Sequence, residues 1–253
     1  MHIILTGATG LVGLSVLDAM IKAKDITKIS ILSRKPVQMA DDAKDSRINV
    51  IIHRDFNTYD AKVLEQLRGA EACVWALGIS QTRVNAQEYV TITKDYALAA
   101  AKSFATLSTP SSEQPFRFIY VSARGATQQP GRFSPFYARV KGETEADLSD
   151  MAAAMPKSLW VGSVRPIFVD ARQHAAILPY IPDPGVMYKV TGGAASLLLP
   201  LMRGIHSPTE QLGDFLTRMA MGKLDSQLEG AGASRLGGSW IIENLGFRRI
   251  MGL

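Results

Sequence analysis

The first two thirds of the chain alternate short apolar segments with stretches of helical period. Apolar segments lie at 2–6, 28–33, 48–53, 71–78, 116–122 and 158–166, and helical patterns lie at 11–23, 60–67, 86–107 and from 134 onward. Segments that are apolar at nearly every position are typical of parallel strands with helices on both faces. The sequence therefore predicts an α/β fold with a doubly wound parallel sheet.

The pattern changes after Pro166. Residues 166–193 are rich in Pro and Gly without a clear period, and a helical pattern returns at 207–223. There Ser207, Pro208 and Glu210 have the spacing of an N-cap, a first helical residue and a capping box. The segment 238–250 is expected to add one edge strand. We predict two regions: 1–165, and a small C-terminal substrate lobe at 166–253 that lies over the carboxyl edge of the sheet and shares its core.

A glycine-rich turn connects the first predicted strand to the first helix. Gly7, Gly10 and Gly13 form a G-x-x-G-x-x-G run within "TGATGLVG". Glycines let backbone N–H groups approach a pyrophosphate, the third allows close helix–strand packing, and the helix N-terminus favours an anion. Because the run lies between a strand and a helix, it predicts a dinucleotide site. The alternative is a plain strand–turn–helix without a ligand.

The end of the second strand indicates which dinucleotide binds. The segment "ILSRKP" places Ser33, Arg34 and Lys35 there and no carboxylate. An acidic residue would favour NAD, whereas a cation favours the 2′-phosphate of NADP. The sequence therefore favours NADP (NADPH), the alternative being that the two cations form a solvated turn. The next strand ends are expected to line the adenine with Asp55 and Phe56, and the nicotinamide ribose with Ala76, Leu77 and Gly78.

A tyrosine and a lysine lie one helical turn apart in "FYARVKGETE". Ser134 and Pro135 before them predict an N-cap and a first helical residue, which puts Tyr137 and Lys141 on one helix face. Ser122 ends the fifth strand, at the sheet edge where α/β proteins bind ligands. The alternative is a tyrosine packed under a loop beside a solvated lysine.

These three side chains suit the reduction of a carbonyl, which needs a hydride at carbon and a proton at oxygen. A phenol titrates near pH 10 and is a poor acid–base at neutral pH unless an ammonium group stabilises the phenolate. We therefore predict Tyr137 as the general acid/base. Lys141 would assist it and hold the nicotinamide ribose, and Ser122 would hydrogen-bond the substrate oxygen.

The order of these motifs resembles that of the short-chain dehydrogenase/reductase superfamily. The matching stretches are "TGATGLVG", "YVSARGA", "YARVKGETE" and "VRP"; "VKGETE" and "SPTEQLGDFL" are more narrowly similar to the atypical, epimerase-like group around the human Tat-interacting oxidoreductase. The resemblance covers nearly the whole chain and implies a Rossmann fold, NADP(H) and the catalytic set Ser122, Tyr137 and Lys141. It also implies cofactor contacts by Gly7, Thr9, Gly10, Leu11 and Val12 at the pyrophosphate and by Pro166, Ile167 and Phe168 near the carboxamide.

The chain departs from that superfamily at two places. "ALGIS" stands where the best-known members have Asn-Asn-Ala-Gly, and Thr93 or Lys94 stands near the position of the family's helix-borne asparagine. We therefore do not expect the proton relay of those members in the same form. His174 and His206 are expected to be loop or packed residues rather than substrate contacts.

Composition narrows the classes of function. The formal net charge is +5 without a dense Lys/Arg block, so nucleic acid is not an expected partner. Cys73 is the single cysteine and is expected in the core, which excludes an internal disulfide and suits a reducing compartment. No signal-peptide pattern, membrane span or metal-ligand spacing is visible, so a cytoplasmic protein without a metal is expected. A homodimer is left open.

The leading hypothesis is an NADP(H)-dependent oxidoreductase that interconverts a carbonyl and an alcohol on a small, mostly apolar molecule. The apolar segments 183–193 and 196–202 would cover its cleft. One alternative is a regulatory protein that senses the dinucleotide. Another is an isomerase, dehydratase or cyclase of the same fold without net oxidation.

Overall fold

The computed structural model describes residues 1–107, 114–181 and 203–253. Within these residues the strands are, in chain order, β1 (His2–Thr6), β2 (Lys28–Ser33), β3 (Ile48–Ile52), β4 (Ala72–Trp75), β5 (Phe116–Val121), β6 (Leu159–Arg165), β7 (Phe168–Asp170), β8 (His206–Pro208), β9 (Ala233–Leu236) and β10 (Ser239–Glu243). Eight of them form one sheet in the order β3-β2-β1-β4-β5-β6-β10-β9, and β7 pairs with β8. Neighbours in the large sheet run parallel except β9, which is antiparallel to β10.

Helices connect these strands, most of them where the sequence predicts. The helices at Gln38–Ala43 and Asn244–Met251 were not predicted. In the described residues they are α1 (Leu11–Lys22), α2 (Gln38–Ala43), α3 (Ala61–Gln66), α4 (Ala86–Val90), α5 (Tyr96–Phe104), α6 (Phe136–Ala154), α7 (Thr209–Ala220) and α8 (Asn244–Met251). A π-helical turn at Thr91–Asp95 joins α4 to α5, so the predicted helix at 86–107 is one run with a wider turn inside it. No helix in this described part of the chain is both long and apolar enough to cross a bilayer.

Helices cover both faces of the sheet. On one face α1, α7 and α8 bury Leu17, Phe215 and Phe247 in one core cluster. On the other face α5 and α6 bury Phe104 and Leu148 in a second cluster. Burial of such side chains is the main driving force of folding, and the two clusters explain why the strands are apolar on both sides. The prediction of a doubly wound parallel sheet is confirmed.

The C-terminal region is part of the same sheet. Strand β10 pairs in parallel with β6, and β9 forms the edge beyond it. The predicted strand within 238–250 is present as β10. Its position at the edge was wrong, because the 233–236 segment pairs outside it, and the rest of the segment forms a helix at Asn244–Met251. The described residues of this region share the first core cluster with α1. The boundary at 165/166 stays a prediction, and the segments 183–193 and 196–202 lie outside the described residues.

Two predicted helix starts differ from the structure by one or two residues. Pro135 is the N-cap of α6, and Ser134 instead accepts a hydrogen bond from the N–H of Gly131 at 2.9 Å. Pro208 is the N-cap of α7, and no side chain caps it. Ser207 belongs to β8, where its hydroxyl donates to the Asn244 side chain at 2.6 Å. The predicted capping box was wrong, because the Ser207 hydroxyl binds Asn244, which is distant in sequence, and not the first turn of α7.

Candidate active site

The glycine loop is fixed by backbone packing that leaves no room for side chains. Gly7 has φ +71°, and a Cβ atom there would overlap the carbonyl oxygen of Ala76, which follows β4. A Cβ atom at Gly13 would overlap the carbonyl oxygen of Gly7. Gly10 donates its N–H to the same oxygen at 2.9 Å. Only glycine satisfies both the left-handed backbone at Gly7 and this close approach of α1 to β1.

The N-terminus of α1 is open toward the carboxyl edge of the sheet. Gly10 is its N-cap and supplies no side-chain hydrogen bond to the first turn. The first N–H groups of a helix have no intrahelical acceptor, and together with the helix dipole they attract anions. The partly exposed Thr9, Leu11 and Val12 border this turn. A loop with glycine at every third position and an uncapped helix start fit a dinucleotide pyrophosphate.

The end of β2 presents two cations to solvent. Ser33 is buried, and its hydroxyl donates to the carbonyl oxygen of Lys35 at 2.7 Å, which folds the chain into a tight turn. The side chains of Arg34 and Lys35 are exposed and have no ion-pair partner in the described ranges. A cavity of about 320 Å³ opens beside this turn and is lined by residues that include Thr9, Lys35, Met39 and Tyr180.

The two residues predicted beside an adenine lie in different surroundings. Asp55 is exposed, and its carboxylate accepts from the Asn57 N–H at 3.0 Å and the Thr58 hydroxyl at 2.9 Å. The Phe56 ring is fully buried, 5.9 Å from the Trp75 ring centroid. The Phe56 ring lies within the second core cluster, so neither of its faces is open to a ligand.

Ser122 follows β5 and lies at the same edge as the glycine loop. It is buried, and its N–H donates to Val164 at 2.8 Å. Its hydroxyl has no hydrogen-bond partner among the described residues. A buried hydroxyl without a partner costs free energy. This position fits a ligand oxygen that would complete the hydrogen bonding of Ser122.

Tyr137 is held at the start of α6 by contacts from two loops. Its N–H donates to the side-chain oxygen of Gln81 at 3.0 Å, and its hydroxyl donates to the Arg124 carbonyl oxygen at 3.3 Å. The side chain is partly exposed. The Arg124 N–H donates in turn to Pro166 at 3.1 Å, so the end of β6 supports the same loop. The Tyr137 hydroxyl therefore lies at the same edge of the sheet as Ser122, near its solvent-exposed rim.

Lys141 reaches from the next turn of α6 to the end of β5. Its ammonium donates to the carbonyl oxygen of Val121 at 3.1 Å and lies 5.2 Å from the Tyr120 ring centroid. Burial lowers the pKa of Lys141 to about 8, and the nearby carboxylate of Glu145 opposes that shift. Desolvation disfavours the ammonium, while an opposite charge favours it. The group therefore changes charge near neutral pH, immediately beside Ser122.

A buried ion pair lies one turn beyond Lys141. Glu145 is fully buried and binds the guanidinium of Arg165 through both oxygens, with Nε–Oε1 at 2.8 Å. Gln128 donates to the same carboxylate at 2.7 Å, and Glu243 binds the other side of Arg165 at 2.7 Å. The sequence analysis did not identify this network. The i, i+4 spacing of Lys141 and Glu145 was its available signal.

The residues after β4 and β6 line the remaining edge. Ala76 and Leu77 are half-buried beside the glycine loop, and Gly78 is exposed. The Ile167 N–H donates to the Ser207 hydroxyl at 3.1 Å. Phe168 lies 6.5 Å from His206, ring centroid to ring centroid. The structure thus brings the glycine loop, the strand ends and the Tyr137–Lys141 face to one edge of the sheet.

The two residues near the family's asparagine position, Thr93 and Lys94, both lie within the π-helical turn. Thr93 is buried, and its carbonyl oxygen accepts from the Tyr120 hydroxyl at 3.3 Å. The Lys94 ammonium pairs with Asp147 at 2.9 Å and Glu143 at 3.4 Å, on the outer side of α6. Lys94 is therefore occupied by an ion-pair network of its own, away from Ser122.

Two histidines of the second region form hydrogen bonds with carboxylates. His174 is buried, with Nε2 at 2.9 Å from Asp18 on α1 and Nδ1 at 3.0 Å from the Thr209 hydroxyl. His206 Nε2 lies 3.0 Å from Asp170. Since both ring nitrogens of His174 have partners inside the protein, it is a packed residue, as predicted. Cys73 is also fully buried, which raises the pKa of its thiol.

Comparison with known proteins finds relatives in fungal biosynthesis clusters. No family model matches the chain. Botcinic acid biosynthesis cluster B protein 16 of Botryotinia fuckeliana is 44% identical over 163 residues, which cover 62% of this chain and 99% of that protein. Leucinostatins biosynthesis cluster protein T of Purpureocillium lilacinum is 34% identical over 235 residues, covering 84% of this chain and 82% of that protein.

Solved structures with the same fold are distant in sequence. A 3-oxoacyl-[acyl-carrier protein] reductase from Brucella melitensis in complex with NAD has a TM-score of 0.66 at 15% identity, covering 97% of this chain and 96% of that chain. A Serratia marcescens short-chain dehydrogenase/reductase has a TM-score of 0.64 at 17% identity, with 97% of each chain covered. DesIV, a dTDP-glucose 4,6-dehydratase from Streptomyces venezuelae with NAD and TYD bound, has 0.63 at 16%, covering 100% and 79%.

These structures establish the fold. The chain has the Rossmann-type fold of short-chain dehydrogenases/reductases, including its epimerase-like representatives, as the motif order predicts. The narrower resemblance to the group around the human Tat-interacting oxidoreductase stays a prediction.

Proposed function

The chain belongs to the family of the two fungal biosynthesis-cluster proteins, and we propose that it is an oxidoreductase that uses a nicotinamide dinucleotide to interconvert a carbonyl and an alcohol. The observation that carries the proposal is the convergence of Ser122, Tyr137 and Lys141 beside a glycine loop that fits a pyrophosphate. A protein that only senses the dinucleotide needs no proton donor at that place.

The three side chains have complementary roles in this proposal. The bound dinucleotide supplies or accepts the hydride. Tyr137 gives a proton to the substrate oxygen during reduction and takes it back during oxidation. Lys141 keeps positive charge beside it, anchored at Val121. The unpartnered hydroxyl of Ser122 donates to the same substrate oxygen and stabilises the charge that develops there.

We further propose that the dinucleotide is NADP(H). The support is the exposed pair Arg34 and Lys35 at the end of β2, where no carboxylate stands. A guanidinium can bind the 2′-phosphate with two parallel hydrogen bonds. The substrate is proposed to be a small organic molecule of a biosynthetic pathway, by analogy with the clusters that name the two relatives. A homodimer and a cytoplasmic location stay predictions.

The test combines cofactor binding with turnover. NADPH and NADH are titrated by fluorescence, and a panel of aldehydes and ketones is then assayed with the native protein and with Tyr137→Phe. We expect tight NADPH binding and a loss of turnover of about 10²- to 10⁴-fold in the variant, which is typical of a removed general acid. Tyr59→Phe is the matched control, because it removes a tyrosine hydroxyl in the core that has no hydrogen-bond partner among the described residues.

Two outcomes would contradict the proposal in different ways. Failure of both dinucleotides to bind would reject every function that depends on a dinucleotide at the glycine loop. Tight binding without net oxidation or reduction on any carbonyl would favour an isomerase, dehydratase or cyclase of the same fold, or a sensor.

A further inference from the structure

Two segments around Tyr137 contain cationic residues and no acidic residue. The segments 76–87 and 122–142 surround this tyrosine, and together they contain Arg83, Arg124, Arg132, Arg139 and Lys141 but no Asp or Glu. Arg47 and Arg165, by contrast, each have a carboxylate partner. The two segments therefore carry an excess of positive charge: Glu145 acts on Lys141, but Arg83, Arg124 and Arg132 have no carboxylate partner among the described residues.

Two of these five cations already have backbone partners. Arg139 donates to the carbonyl oxygens of Ser134, Gly131 and Arg132 at 3.0, 2.9 and 3.2 Å. Lys141 donates to Val121. These bonds fasten the loop before α6, and they do not cancel the positive charge. The three other arginines have exposed side chains without a hydrogen-bond or ion-pair partner among the described residues.

Arg124 is an exposed arginine whose backbone contacts the proposed general acid/base, Tyr137. Its carbonyl oxygen accepts from the Tyr137 hydroxyl at 3.3 Å, and its N–H donates to Pro166 at 3.1 Å. Its backbone is thus held on both sides, two residues beyond Ser122, while its guanidinium extends into solvent. Because the backbone is already fixed, only side-chain freedom is lost when the guanidinium binds a planar anion.

Apolar surface adjoins this positive rim. Phe133 is 93% exposed and Phe136 is 40% exposed. Both belong to the loop and helix start that Arg139 fastens. A ligand that satisfies both features has an apolar body and an anionic group.

From this placement we infer that the substrate carries an anionic group, a carboxylate or a phosphoester, which Arg124 binds while Tyr137 faces the reacting carbonyl. The inference rests on the proposed function and names the substrate class for the same site. Charge-assisted bonds from arginine to either anion are bidentate and about twice as strong as neutral ones. Arg124 would accordingly determine specificity and orientation, with Arg83 and Arg132 attracting the anion from a longer range.

The experiment uses small probes on the protein saturated with NADPH, so that the cofactor occupies its own anion site. Calorimetry measures the binding of benzoate, phenyl phosphate and neutral benzamide to the native protein, Arg124→Gln and Arg124→Lys. We expect at least one anion to bind at least about 10-fold tighter than benzamide, with this preference lost in the glutamine variant and partly kept in the lysine variant. The anion with the larger preference over benzamide shows whether the site binds a carboxylate or a phosphoester.

Arg68→Gln is the matched control, because Arg68 is an exposed arginine that pairs with Glu65 outside the site. It should leave the preference unchanged. Equal binding of all three probes, undetectable binding of all three, or a preference that survives in Arg124→Gln would overturn the inference. Failure of NADPH to bind in the first step would instead contradict the proposed function, so the two failures are distinguishable.

Discussion

The two halves of the candidate site are built in different ways. At the glycine loop, backbone packs directly on backbone, and a Cβ atom at Gly7 or Gly13 has no space. At the Tyr137–Lys141 face, position depends on buried charge, since Glu145 and Arg165 neutralise each other beneath Lys141. The first half should therefore be sensitive to added volume and the second to a missing charge. This contrast shows that one sheet edge can be organised by sterics at one end and by electrostatics at the other.

The largest expected effect is an added methyl group in the glycine loop. Gly13→Ala should lower the free energy of unfolding by more than about 3 kcal/mol, because its Cβ atom overlaps the backbone of Gly7 and α1 must move. Gly10→Ala is the control, since its Cβ atom would lie 3.4 Å from the nearest atom, in ordinary contact. Urea unfolding of both variants tests this, and equal losses would show that packing does not fix the loop.

The next effect is the loss of a charge partner in the other half. Arg165→Met should cost about 3 kcal/mol, because it leaves the fully buried Glu145 without its main counter-charge. Arg68→Met removes an exposed partner of Glu65 and should cost less than about 1 kcal/mol. The same unfolding assay compares them. A similar small loss of unfolding free energy in both variants would mean that the Glu145–Arg165 pair does not stabilise the Tyr137–Lys141 face.

A smaller effect concerns the charge of Lys141. Its pKa in the folded protein is about 8, below the ordinary lysine value, so folding disfavours the ammonium form at pH 7. This penalty is fully present below about pH 8 and disappears as the pH rises toward about 10.5. The native protein should therefore gain about 2 kcal/mol relative to Lys141→Met between pH 7 and pH 10.

The measurement is the difference in unfolding free energy between the two proteins at several pH values. Lys102→Met, at an exposed lysine of α5, should show no such pH dependence. A flat difference for Lys141→Met would mean that the ammonium is well solvated.

The smallest effect is expected at the exposed rim of the glycine-loop half. Arg34→Glu should weaken NADPH binding about 10-fold and NADH binding much less, because the new carboxylate repels the 2′-phosphate. Fluorescence titration of both dinucleotides measures the ratio. Equal weakening would contradict the proposed 2′-phosphate contact while leaving the glycine loop intact.

The sequence predicted the glycine-loop half better than the other half. The strand ends and the glycine run are local sequence patterns, and the structure has both. The Glu145–Arg165 pair depends on residues 20 positions apart that meet only after β6 joins the sheet. The same holds for Ser207, whose capping pattern was overridden by Asn244. Local patterns do not encode such tertiary partners.

Other differences have a local cause that the sequence did not reveal. The π-helical turn at Thr91–Asp95 was not predicted, because the segment 86–107 was interpreted as one regular helix. Phe56 was predicted beside a ligand because it follows a strand end, yet its ring turns into the core toward Trp75. Position along the chain was a sound guide to the edge of the sheet, but it did not give the direction of a side chain.

His174 makes α1 and the start of the second region a coupled pair. Asp18 lies about two turns along the helix whose first turn faces the glycine loop, and His174 binds it from the segment that follows β7. A dinucleotide that steadies α1 should therefore slow amide exchange at 171–181. By thermodynamic reciprocity, an ordered 171–181 segment should tighten the dinucleotide by the same factor. One imidazole would thus link the order of the 171–181 segment to binding of the cofactor.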